Sequence, residues 1–166
     1  MRFPETVNIA GQTVALNGAA LRSWATLRIY AIGLYLPERN GTAAAVLASG
    51  GPKRITLALL RETSARELAD ALVEGIRDNH AHAEVERLQP RIERLAGVMA
   101  AVGVAPRGSQ ITMDFVPERG TRFALDGERK GEAIEGDDFF PALLRIWLGE
   151  RPPQAAMKDA LLGGLR

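Results

Sequence analysis

No cysteine occurs among the 166 residues. Disulfides, thiolate catalysis and cysteine-ligated zinc are therefore excluded. Histidine is almost as scarce. The two present, His80 and His82, are two positions apart and cannot share a helix face. They are expected to be solvent-facing residues at a helix end rather than metal ligands. Neither sign of charge dominates: 21 basic and 20 acidic residues leave a formal net charge of +1. That balance provides no broad electrostatic attraction to nucleic acid or to an anionic membrane. No run approaches the ~20 apolar residues of a transmembrane helix. The opening MRFPETV lacks the apolar core of a secretion signal. Neither G-x-S-x-G, G-x-G-x-x-G nor a P-loop occurs, so Ser23 and Ser64 have no nucleophile motif and a nucleotide cradle is not indicated. Asp137 and Asp138 read as helix-capping residues rather than an acid/base pair. Nothing in the chain calls for a cofactor.

What is present is an ordinary globular composition, 46% hydrophobic and 25% charged. One domain over residues 1–166 is expected, able to bury about two thirds of its unfolded surface. Glu5–Leu16 reads as a hairpin turning at Ala10-Gly11-Gln12. From the Asn17-Gly18 turn signal to Pro37 runs the longest β-leaning stretch, one strand or two at the centre of a sheet. Its second half alternates, with Tyr30, Ile32, Leu34 and Leu36 on one face and Ile29, Ala31, Gly33 and Tyr35 on the other. Both faces are apolar, which predicts cover on both sides. A short helix over Thr42–Ser49 and a strand over Lys53–Leu60 follow. Ser64 and Glu67 have capping-box spacing and open a helix to about Asn79. A helical region over Ala83–Val102 is divided at Pro90. Three strands follow, over 110–116, 121–125 and 132–134. A central buried helix, capped by Asp137 or Asp138, ends at Gly149, and a last helix spans Gln154–Leu162.

Two arginines interrupt the long β-leaning stretch. Arg28 reads as a solvent-facing residue on a half-exposed strand. Arg22 follows the small-residue segment Gly18-Ala19-Ala20-Leu21 and is the strongest functional candidate. Its guanidinium cannot shed its charge, so it requires water, carbonyls, a carboxylate or a bound anion. A structural pairing with Asp or Glu is the alternative. An apolar interior with one such cation suits an amphiphile. Its tail would lie among Leu, Ile, Phe and Trp, Trp24 being the tryptophan of this stretch, and its anionic head on Arg22.

Several segments carry a resemblance in order: Asn-Gly-Ala-Ala-Leu-Arg at 17–22, Ile-Tyr-Ala-Ile-Gly-Leu-Tyr-Leu-Pro at 29–37 and Gly-Pro-Lys-Arg-Ile-Thr-Leu at 51–57. Ala-Ile-Glu-Gly-Asp-Asp-Phe at 133–139 and Ala-Leu-Leu-Arg-Ile-Trp-Leu-Gly at 142–149 complete it. From about Phe3 to Leu162 the chain resembles the chalcone isomerase-like family, in its bacterial branch. The resemblance implies an α+β open-faced sandwich: a large antiparallel sheet, a layer of helices on one face and a ligand cleft between them. It also suggests a periplasmic protein whose signal is absent from this chain, or a cytoplasmic one if Met1 is native.

That superfamily contains chalcone isomerases, non-catalytic relatives and fatty-acid-binding proteins. Arg22 matches the arginine of the enzymes. Tyr30 falls where the enzymes have a supporting threonine and the fatty-acid binders a tyrosine. The enzymes' helix tyrosine and asparagine would fall near Glu67 and Glu74, and an ionised carboxylate cannot donate a hydrogen bond to an oxyanion. The expectation is therefore a non-catalytic protein binding a fatty acid or similar small apolar carboxylate, with Arg22, Tyr30 and Trp24 as ligand-binding residues. The alternatives are an intramolecular lyase of chalcone isomerase type using Arg22, and an interaction module whose cleft is filled by its own side chains. On one straight strand Arg22 and Tyr30 would be about 26 Å apart. A shared site requires the chain to bend near Ser23–Thr26, and a cavity must reach Arg22.

Overall fold

The computed structural model describes residues 2–164. Its centre is a seven-stranded antiparallel sheet in the order β1-β2-β3-β4-β7-β8-β9. β1 (Thr6–Ile9), β2 (Gln12–Trp24), β3 (Leu27–Leu36) and β4 (Lys53–Leu59) form its first half. β7 (Gln110–Val116), β8 (Gly120–Leu125) and β9 (Glu128–Ile134) form the second. Neighbours in the sheet are neighbours in the chain except at β4–β7. There the chain leaves to build α2 (Ala65–Asp78) and α3 (His82–Ala100) before returning to pair beside β4. α1 (Ala43–Ala48) precedes β4, and α4 (Phe139–Leu148) and α5 (Ala155–Leu161) close the chain. The helices cover one face, as an α+β open-faced sandwich requires.

The alternation in β3 decides which side chains meet the helices. Tyr30, Ile32, Leu34 and Leu36 enter the main core with Leu68, Leu72, Ile76, Phe140 and Trp147. Tyr35 points the other way, into a smaller cluster with Ile9, Val14 and Val116. Phe3 covers that second face, and a Cβ at Gly33 would stand 3.0 Å from its ring. Arg54 and Asp114, opposite one another on β4 and β7, form a two-pronged ion pair at 2.6 and 2.8 Å. α4 is buried on nearly every side, its eight buried residues including both Phe139 and Trp147. The caps expected at Thr42 and Ser64 are present, accepting from Ala45 N and Glu67 N.

Three local expectations are corrected. Asn17-Gly18 is not a turn but lies inside β2, at a bulge between Leu16 and Gly18. The Asn17 amide donates to the carbonyls of Asn40 and Leu161 at 3.0 and 2.8 Å, and its oxygen accepts from Asn40 N. Gly18 is needed because the α5 backbone crosses there: an added Cβ would be 2.2 Å from the Ala160 carbonyl oxygen. Pro90 does not divide α3, which runs through it. Leu88, Ile92, Leu95 and Met99 are buried on one face spanning the proline, and that continuous burial outweighs the ~3 kcal/mol cost of an interior proline. Asp138 occupies the N-cap position of α4 without capping it. Arg87 and Arg91 take its carboxylate instead. Two short strands had no periodic signal to announce them: β5 (Thr63–Ser64) pairs with β6 (Val104–Ala105), tying the start of α2 to the exit of α3.

The candidate ligand cleft

The bend required between Arg22 and Tyr30 is a hairpin turn. β2 and β3 reverse at Ala25-Thr26, where Ala25 has a positive φ of 52°. The register places Arg22 directly opposite Tyr30. A second bulge follows at Arg22/Ser23 and re-aims the chain locally. Ser23 N donates to Gln154 Oε1 at 2.9 Å, pinning the bulge to the segment before α5. One Arg22 Nη donates to the Ser23 carbonyl at 2.7 Å. Among the described residues no carboxylate lies within ion-pair distance of Arg22, so its remaining N–H groups are available.

Arg22 and Tyr30 line a cleft of about 660 Å³. One wall is the hairpin, which adds Ile29. The opposite wall is α2, presenting Leu68, Ala71, Leu72 and Gly75. Ile146 of α4 and the Pro152-Pro153 pair close the apolar part. Gly75 lets α4 approach: an added Cβ would be 2.8 Å from an Ile146 methyl. Charged side chains ring this lining. Arg61 and Arg151 join Arg22, and Glu62, Glu67, Glu74 and Asp78 stand among them. Glu67 and Glu74, both on α2, face the cleft.

The chemistry of Tyr30 follows from its partner. Trp147 Nε1 donates to the Tyr30 hydroxyl at 3.0 Å. An indole N–H is a donor only, so the tyrosine oxygen accepts and its own O–H remains free to donate. Burial raises the Tyr30 pKa from its ordinary 10.0, against smaller opposing effects of the Trp147 bond and the Arg22 charge. The phenol therefore stays protonated throughout the physiological range. A neutral O–H donor beside a guanidinium, at one side of an apolar groove, can hold a carboxylate by two hydrogen bonds.

Trp24 does not join them. It stands exposed near the hairpin turn and does not line the cleft. The histidines stay apart, His80 bonded to the Ile76 carbonyl and His82 paired with Glu86 at the surface. Sequence reasoning missed Arg61, Arg151 and Asp78. Each lies at or beyond the end of a strand or helix, where no periodicity signals a facing direction.

A family profile described as chalcone isomerase-like matches residues 1–163. No curated protein matches the chain. Among solved structures, a fatty-acid binding protein of Arabidopsis thaliana superposes with a TM-score of 0.70 at 17% identity. The match covers 98% of this chain and 92% of that one. At that identity the likeness establishes the fold.

Proposed function

The chain belongs to the chalcone isomerase-like family, and from that premise we propose that it is a non-catalytic binding protein for a fatty acid or similar small apolar carboxylate. The observation that carries this reading is the placement of Arg22, with no carboxylate within ion-pair distance among the described residues, opposite the donor Tyr30 in a cleft whose lining is part apolar and part charged. A cleft of about 660 Å³ is within the usual range for small-molecule sites. The head group would sit between Arg22 and Tyr30, and the tail along Ile29, Leu68, Leu72 and Ile146. The fatty-acid binding protein of the same fold supports the choice of ligand class.

Catalysis of the isomerase kind relies on preorganised donors aimed at a developing oxyanion. Here the helix side offers Glu67 and Glu74, whose carboxylates accept but do not donate. An open cleft, and an Arg22 with no ion pair among the described residues, favour ligand binding over a collapsed interaction module. Native mass spectrometry of protein purified from cells, followed by titration with a fluorescent fatty acid, tests the proposal. Bound lipid, and affinity lost in Arg22→Ala, are expected. An empty protein without affinity for any fatty acid, or turnover across a panel of chalcones, would overturn it.

A further inference from the structure

Among the described residues, the large hydrophobic side chains standing exposed are Leu21, Trp24, Leu27 and Val104. Three of these four belong to the outer end of one hairpin. Trp24 is 66% exposed, Leu27 44% and Leu21 42%. Trp24 and Leu27 face each other as the last pair of β2 and β3. Tyrosine 30 is the last β3 residue in register with β4, opposite Leu59, and one further bond joins Leu60 N to the Ile29 carbonyl. Beyond that point the two strands continue alone, so residues 23–28 project past the sheet. The projection is not loose: Ser23 is bonded to Gln154, and strand pairing continues to the turn.

Charge on this hairpin is one-sided. From Gln12 to Leu36 the charged residues are Arg22 and Arg28, with no acidic residue. The excess belongs to the hairpin alone, since Glu62, Glu67, Glu74 and Asp78 stand across the cleft from Arg22. Trp24 and Leu27 at a projecting tip, with Arg28 beside them and Leu21 and Arg22 just behind, match the layered chemistry of a lipid interface. The indole and leucines suit the acyl boundary, and the guanidiniums suit headgroup phosphates.

We propose that the β2–β3 tip is a shallow membrane anchor that docks the protein reversibly on an anionic lipid surface. Arg22 lies on the same hairpin, so docking brings its end of the cleft close to the lipid. The anchor stands on the exposure and projection of Trp24 and Leu27 and on the charge of Arg28, none of which lines the cleft, and does not depend on what the cleft binds.

The test uses the full chain with vesicles of phosphatidylcholine alone and of equal parts phosphatidylcholine and phosphatidylglycerol. Trp147 is fully buried, so a change in tryptophan emission reports Trp24. Blue-shifted emission and co-sedimentation with the phosphatidylglycerol vesicles are expected, both weakened by salt. Trp24→Ser is expected to lower vesicle affinity roughly tenfold, and Arg28→Ala about fivefold. Both residues are exposed, so the melting temperature should hold, as should any fatty-acid affinity. The proposal is overturned if emission and sedimentation are unchanged by anionic vesicles, or if vesicle binding survives both substitutions. Trp24-dependent self-association without vesicle binding would likewise overturn it, making a second copy the occupant.

Discussion

Replacing Tyr30 by phenylalanine removes one oxygen from the point where helix, sheet and cleft meet. Trp147 is wholly buried and Tyr30 is 6% exposed, so water cannot readily replace the lost acceptor for the indole N–H. An orphaned buried donor costs about 1–3 kcal/mol. For a chain of this length, about 2 kcal/mol corresponds to a fall in melting temperature of about 4–8 °C. The same change deletes the O–H proposed to donate to a ligand carboxylate, worth about 1.5 kcal/mol or roughly tenfold in affinity. Arg22→Ala separates the two effects. Among the described residues Arg22 makes a single hydrogen bond, to the Ser23 carbonyl, so its loss should change stability by only about 0.5 kcal/mol. It should nevertheless weaken carboxylate binding by about ten- to a hundredfold. Thermal unfolding followed by circular dichroism, paired with displacement of a fluorescent fatty acid, measures both. A Tyr30→Phe protein that melts like wild type would refute the accounting for the Trp147 bond. Unchanged fatty-acid affinity in both variants would refute the shared head-group site.

Three further outcomes follow from the packing. Gly18→Ala should destabilise by about 3 kcal/mol and displace α5, because the new methyl meets backbone carbonyls rather than a yielding side chain; a melting temperature near wild type would contradict this. Thr121 is fully buried and its hydroxyl has no partner among the described residues, so Thr121→Val should raise stability by about 1 kcal/mol; chemical denaturation reads the sign directly. The Asp138 carboxyl is held well below its ordinary 3.8, chiefly by the Arg91 hydrogen bond, with Arg87 adding to it. A depressed carboxyl stabilises the fold above its unfolded value, and that contribution is lost as the pH falls below 3.8. Wild type should therefore lose more melting temperature than Asp138→Asn between roughly pH 4 and pH 2. At neutral pH the two should differ by at most about 1 kcal/mol, the pair being partly exposed. Parallel acid titrations of the two proteins would rule the ion pair out as a source of stability.

Much of the architecture was legible because it rests on patterns that repeat along the chain. The two faces of β3 follow from alternation over Ile29–Leu36, and the buried helix α4 from apolar residues around its whole circumference. Caps at Thr42 and Ser64 follow from side chains that satisfy nearby backbone groups. The failures came where a distant partner overrode a local preference. Asn17-Gly18 has the composition of a turn, yet Leu161, 144 residues away, claims the asparagine amide. Pro90 has the character of a helix breaker, yet the core beneath α3 holds both halves in line. Asp138 has the place of a cap, yet two arginines of α3 reach it first.

The site divides in the same way. Arg22 could be singled out in the chain because a permanent cation in an apolar run needs a reason, and that need is local. Whether Arg22 and Tyr30 meet could not be told from their spacing of eight positions, which fits a straight strand as well as a hairpin. Only the closed turn at Ala25-Thr26 and the register behind it decide that the two face each other. Trp24, equally prominent in the sequence, lies beyond the last β3–β4 pairing and so stands outside the cleft. Residue chemistry is carried by the chain itself; proximity is set by long-range pairing, whose energy no single segment contains.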